Sequence, residues 1–242
     1  MQQAVSLPGP NQRLLIVGRT GSGKTVAGGF HLSQSDFDLK PWTIIDFKGD
    51  EMLNAIQHTA YLSPNDMPPE KPGIYMLRMR VDQQDELEEY LWKVYNRGNH
   101  GLFADEGYMI GQGKQFSPAF RGILTQGRSK NIPVIINSQR PVWLDVFTKS
   151  EANKMQVFHL NGEDDRKAMS KFIPSDKADL EKRLAPYHSV YYDIDIDEAA
   201  ELGPVPPPEV SLALINERLR AMKENQGTDV LSDPTTNKPK RI

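Results

Sequence analysis

A chain of 242 residues that is 38% hydrophobic and 25% charged carries enough apolar material for one sizeable core and lacks the charge excess of a disordered chain. Its formal net charge of −3 provides no global attraction to nucleic acid, so any contact with DNA or RNA has to come from a local basic patch. The absence of cysteine excludes disulfides, thiolate chemistry and cysteine-ligated zinc.

Residues 1–12 read as a polar lead-in without the basic start and apolar core of a secretory signal. No run approaches the ~18 apolar residues of a membrane helix, so the expectation is a soluble protein. The first strand, at 13–18, runs straight into Gly18-Arg19-Thr20-Gly21-Ser22-Gly23-Lys24-Thr25, which fits the phosphate-binding P-loop pattern G-x-x-x-x-G-K-[ST]. Its glycines let backbone N–H groups turn inward around phosphate oxygens. Lys24 is placed to reach the β- and γ-phosphates and the Thr25 hydroxyl to ligate Mg²⁺, with Val26 closing the binding segment. A helix at 23–33 aims its positive end at the same anion.

Further strands are expected at 42–47, 73–81, 100–105, 132–138, 155–160 and 188–193. Helices are expected at 83–96, 117–127, 162–172 and 175–184; in the first of these Leu87, Leu91, Val94 and Tyr95 follow helical spacing. Near-continuous apolar strands alternating with helices predict an α/β fold, a mainly parallel sheet with helices on both faces. The second strand opens into IIDFKGDE, which puts Asp46 and Lys48 at the C-terminal edge of the sheet, where such folds hold ligands. The strand at 100–105 ends in Asp105-Glu106. Asp105 suits a Mg²⁺ held through water, and the second carboxylate, Glu106, can polarise an attacking water as general base. Together with the P-loop the pair points to ATP hydrolysis driving motion.

After the acidic pair comes a glycine-flanked loop, 111–116, carrying Lys114; Lys130 and Lys149 are further basic candidates for contact with a phosphate backbone. Trp42, Trp92 and Trp143 read as packing residues. The five histidines have no H-x-x-x-H spacing, and Tyr191-Tyr192-Asp193 reads as a sheet edge. The proline-rich stretch 203–208 is a stiff break. It is followed by one amphipathic helix at 209–224, with Val210, Leu214 and Leu219 as its buried side, and by a polar tail, 225–242, expected to be disordered and ending in Lys238-Pro239-Lys240-Arg241. The division expected is a lead-in at 1–12, a motor domain at 13–202 and a linker, helix and tail at 203–242.

Four segments in order, GRTGSGKT, IIDFKGDE, LFADE and GRSKNIPVIINSQRP, resemble the FtsK/HerA superfamily of DNA-pumping ATPases. The resemblance covers about residues 12–193. It implies a RecA-like motor domain of the ASCE class of P-loop NTPases, with an extra strand between the P-loop strand and the strand ending in Asp105-Glu106. It also implies that Gln139 is the polar sensor facing the γ-phosphate, and that the motor is a homo-oligomeric ring, a pentamer or a hexamer, with each ATP·Mg²⁺ at a subunit interface. A neighbour's arginine completes such a site; Arg128 matches the arginine of the family's G-R segment, with Arg140 and Arg121 in reserve. Without the membrane helices, winged domain, β-barrel or helical domain of other members, the chain is most similar to phage and viral genome-packaging ATPases. That implies translocation of double-stranded DNA in the host cytoplasm or on the virion, with portal or capsid proteins as partners. A filamentous-phage assembly or conjugation-type ATPase, and a P-loop nucleotide switch that is no motor, are the alternatives.

Overall fold

The computed structural model describes residues 6–112 and 115–228. In chain order the elements are β1 (Arg13–Val17), α1 (Lys24–Ser33), β2 (Pro41–Asp46), α2 (Glu51–Asn54), β3 (Ala60–Leu62), β4 (Gly73–Arg78), α3 (Gln84–Arg97), β5 (Gly101–Ala104), β6 (Gly111–Gln112), β7 (Gln115–Phe116), α4 (Pro118–Gln126), β8 (Val134–Ser138), α5 (Val146–Ser150), β9 (Lys154–Phe158), α6 (Glu163–Ser170), β10 (Ser189–Asp193), β11 (Glu198–Leu202) and α7 (Pro208–Thr228). Nine strands form one sheet in the order β11-β10-β9-β1-β8-β5-β2-β4-β3. The seven strands from β9 to β3 are parallel, and β10 and β11 extend the sheet antiparallel. One strand, β8, separates the P-loop strand β1 from β5, as the resemblance implies.

β1 shows why the chain adopts this arrangement. All five of its residues are buried, and Leu14 to Val17 alternate between two cores. Leu14 and Ile16 pack with Ala27 of α1 and with Ile215 and Leu219 of α7 on one face; Leu15 and Val17 pack with Leu87 and Leu91 of α3 and Phe120 and Ile123 of α4 on the other. A strand with both faces covered has to read as a near-continuous apolar run, which is how Leu14 to Val17 read.

The structure departs from the expected elements in several places. Residues 175–184 form turns instead of a helix: Lys177 and Ala178 both donate to the Pro174 carbonyl, and the Asp179 carboxylate accepts from the Glu181 N–H. That side-chain acceptor competes for the bonds a helix would need. On α7 the buried line is Ser211, Ile215 and Leu219, four residues apart, while Val210 and Leu214 are 44% and 39% exposed. Trp42 is packed as expected, but Trp92 and Trp143 are exposed; β10 is paired on both sides, and β11 supplies the edge. The short elements α2, α5, β3 and β11 give too few residues for a periodic signal.

Candidate active site

The parallel strands β1, β8, β5 and β2 all end on one edge of the sheet, where the segments after β1, β5 and β2 meet Asn137 and Gln139 at the end of β8. The first is the P-loop. Gly21 at φ +74° and Gly23 at φ +99° hold left-handed backbone that bulkier residues resist, and Gly23 leads directly into α1. The Lys24 side chain folds back over the loop, with Nζ donating to the Arg19 carbonyl at 3.0 Å. Burial pulls its ammonium pKa below the ordinary value, against the pull of Glu106 and Asp105. Ser22 Oγ is buried with no partner. A cradle of left-handed glycines, an ammonium and an orphaned hydroxyl fits a triphosphate.

The second segment is the end of β5. Asp105 is 4% exposed, and its Oδ1 accepts from Asn137 Nδ2 at 2.9 Å and from Thr25 Oγ1 at 3.4 Å. Thr25 and Asp105 are thus side by side, the oxygen pair that Mg²⁺ beside a P-loop requires. Burial pushes the Asp105 carboxyl up to about 6; Asn137 opposes this and Glu106 adds to it. The folded protein therefore holds this proton more tightly than the unfolded chain, and the stability it contributes is lost as pH rises through about 6. Asp105→Asn keeps an oxygen for Asn137 and Thr25. It should stabilise the nucleotide-free protein at pH 8 by on the order of 2 kcal/mol and by much less at pH 4, which thermal melts at the two pH values check.

Glu106 follows in left-handed backbone, φ 59° and ψ 57°, and is 4% exposed. A non-glycine residue held there is the kind of strain that functional sites retain. One of its oxygens, Oε1, accepts from Lys48 Nζ and from Gln139 Nε2, each at 2.5 Å. Gln139 Oε1 in turn accepts from the Thr20 hydroxyl at 2.9 Å, so the sensor position links the P-loop to the second carboxylate. The third segment is the turn after β2. Asp46, fully buried, accepts from the N–H groups of Lys48 and Gly49 at 2.9 and 2.8 Å, and this fixes the turn that carries Lys48 to Glu106.

The expected site residues Gly18 to Val26, Asp105, Glu106 and Gln139 therefore stand together. Arg128 does not join them. It lies in the turn between α4 and β8, at the N-terminal edge of the sheet, while the P-loop lies at the C-terminal edge, where Ser138 ends β8 beside Val17. Its side chain is exposed and has no partner among the described residues. Arg140, expected as a reserve, is instead paired with buried Asp165 at 2.8 Å and laid over the Trp143 ring. Arg121 is likewise paired with Asp145. Lys130 sits beside Arg128 with its ammonium 4.4 Å from the centre of the Tyr95 ring. Lys149 is not available for a ligand: its buried ammonium donates to the carbonyls of Pro141 and Leu144, at 2.9 and 2.6 Å, where it satisfies two otherwise bare acceptors. Lys114 and the residues from 229 onward lie outside the described residues.

Sequence reasoning missed Asn137 and gave Lys48 no task. The signal for Asn137 was present, since an amide inside the apolar run of β8 is fully buried and has to serve a partner. Among the described residues no helix is long and apolar enough to cross a membrane, and no cluster of three or more acidic, histidine or cysteine residues forms a separate metal site.

No protein-family model matches the chain. Over 220 residues it is 40% identical to the DNA packaging ATPase P9 of Enterobacteria phage PRD1, a match that covers 86% of this chain and 94% of that protein. In fold it is similar to the genome packaging NTPase B204 of Sulfolobus turreted icosahedral virus 2, solved with AMP and with AMPPCP. The TM-score is 0.65 at 22% identity, over 82% of this chain and all of B204. The pCW3 conjugation coupling protein TcpA shares the fold at a TM-score of 0.62 and 14% identity, over 87% of this chain and 65% of TcpA.

Proposed function

We propose, from the premise that this chain belongs to the family of the phage DNA packaging ATPase P9, that it is an ATP-hydrolysing motor that translocates double-stranded DNA to package a viral genome. The observation that carries this reading is the meeting of Lys24, Thr25, Asp105, Glu106 and Gln139 at one sheet edge. Those are the groups needed to bind a triphosphate, to hold a metal and to direct a water at the γ-phosphate.

In the proposed reaction the P-loop N–H groups and Lys24 hold the β- and γ-phosphates. Thr25 and, through water, Asp105 would hold Mg²⁺, which when bound neutralises charge on the β- and γ-oxygens. Glu106 takes a proton from the attacking water, and Gln139 positions that water against the γ-phosphate. Lys48 and Gln139 occupy one Glu106 oxygen in this structure; the other, Oε2, receives only the long 3.4 Å contact from the Gln139 N–H. That leaves it as the oxygen suited to accept the proton.

The placement of Arg128 supports a shared site. It stands across the sheet from its own P-loop, so it can serve only the P-loop of another copy, where its planar cation would stabilise charge on the transferring phosphoryl group. The motor is accordingly a ring of five or six copies working in the host cytoplasm or on the virion, with 13–202 as the motor domain and the portal or capsid as its seat. Lys114, in the segment that β6 and β7 flank, and Lys130 are the proposed contacts to the DNA backbone, which would be read without regard to sequence. Duplex DNA should accordingly raise the rate of ATP hydrolysis several-fold at low salt, and the gain should shrink as salt rises. A steady-state phosphate-release assay checks this, and no hydrolysis with or without DNA would refute the reading.

A further inference from the structure

β5 and β8 bring two polar side chains to one face of the sheet, just past the apolar core. Phe103 pairs with Ile135 and Ala104 with Ile136, and Phe103 and Ile135 both belong to the core that Ala27 of α1 helps to build. Alternation along each strand places Asp105 and Asn137, two residues further on, on that same face. Two residues of α1, one turn apart, lie over them. Thr25 Oγ1 donates to Asp105 Oδ1 at 3.4 Å. Gly28 comes so close to Asn137 that a Cβ built on the glycine would stand 3.0 Å from Nδ2, 3.1 Å from Oδ1 and 2.5 Å from Phe103 Cζ. The Asn137 amide and the Phe103 ring thus fill the space that a side chain at position 28 would need.

Asn137 is fully buried, but its amide is only half used. Nδ2 donates to Asp105 Oδ1 at 2.9 Å, whereas the amide oxygen is buried without a partner among the described residues. A buried acceptor left bare costs stability, so folding alone favours an apolar residue at this position. What the amide supplies in return is its one bond to Asp105. That bond and the one from Thr25 both fall on Oδ1; Oδ2 receives no hydrogen bond among the described residues.

We propose that Asn137 is a positioning residue for the metal: by holding Oδ1 it keeps the Asp105 carboxylate from turning and leaves Oδ2 for the water through which Asp105 would hold Mg²⁺. The inference rests on the reading of Thr25 and Asp105 as the residues of the metal, and it adds a side chain that acts only through Asp105. It also gives Gly28 a task, since its missing side chain is what lets the amide lie under α1.

Loss of a group that orients a metal-binding side chain costs about 10–100-fold in metal affinity or activity. Calorimetric titration of the full chain with AMPPCP, once with Mg²⁺ and once with EDTA, separates the metal from the phosphates. Asn137→Leu copies the branched shape without the donor, and the smaller Asn137→Ala covers the case in which Leu does not fold. Either variant should bind AMPPCP about tenfold more weakly than the parent with Mg²⁺ and within about twofold of it with EDTA. Its ATP turnover should need about tenfold more Mg²⁺ for half-maximal rate and recover when Mg²⁺ is in excess. Equal weakening with Mg²⁺ and with EDTA, no weakening with Mg²⁺, or turnover that excess Mg²⁺ does not restore would overturn the proposal. A parent chain that binds AMPPCP equally with and without Mg²⁺ would overturn the metal assignment to Thr25 and Asp105, and a parent that does not bind AMPPCP would overturn the ATP-site reading, each taking this proposal with it.

Discussion

Lys24→Ala is expected to abolish ATP binding and turnover together. The Lys24 ammonium is buried to 6% exposure at the centre of the cradle, and burial already weakens its hold on its proton. Glu106 and Asp105 stand close enough to oppose that weakening. Removing it takes the ammonium from the phosphate cradle and leaves Lys48, held on Glu106, as the cation beside the two carboxylates, so the variant loses its main attraction for the triphosphate. Truncating one member of a buried charged set costs about 3–5 kcal/mol, which corresponds to a loss of affinity of at least ~100-fold. Calorimetric titration with Mg²⁺ and AMPPCP checks this. An affinity within a few-fold of the parent would show that the loop N–H groups alone hold the phosphates.

Glu106→Gln should separate the two activities that Lys24→Ala removes together. The amide has the same shape, fits the same left-handed turn and still offers an oxygen to Lys48 and Gln139, so ATP should bind nearly as before. It cannot take a proton from water. Hydrolysis should fall by at least ~100-fold, the usual scale of general-base loss. Single-turnover hydrolysis measured beside the binding titration distinguishes the outcomes: an equal loss of both would make Glu106 a metal ligand or a structural residue. The Lys48 contact gives this variant a further consequence. The buried carboxylate is neutralised in the structure by Lys48, which the Asp46 turn holds on Oε1, and Gln at 106 would leave that lysine beside a neutral amide.

The groups that bind phosphate were legible because they are contiguous: eight residues at fixed spacing after an apolar strand carry their own geometry. The parallel sheet was legible because β1, β5 and β8 are apolar on both faces. What joins Lys48 to Glu106 was not, because the two residues are 58 positions apart and meet only through the pairing of β2 with β5, which neither segment encodes by itself. The same holds for Arg140 and Asp165, which are 25 positions apart and meet in an ion pair. Residues 175–184 failed for a different reason. Their composition suits a helix, but Asp179 offers a backbone N–H a nearer acceptor, and the chain instead runs on to the turn that presents Tyr187. The buried face of α7 was misread because its center line includes Ser211, a polar residue with no side-chain partner, whereas two apolar residues remain outside.

On the proposed reading, hydrolysis at this edge of the sheet moves the protein along duplex DNA. The most direct measurement is displacement of a third strand annealed to a duplex, followed by fluorescence with the full chain and ATP. The third strand should be released with ATP, but not with AMPPCP and not by the Glu106→Gln variant. Hydrolysis that proceeds on this DNA without releasing the strand would show that turnover is not coupled to movement along the duplex.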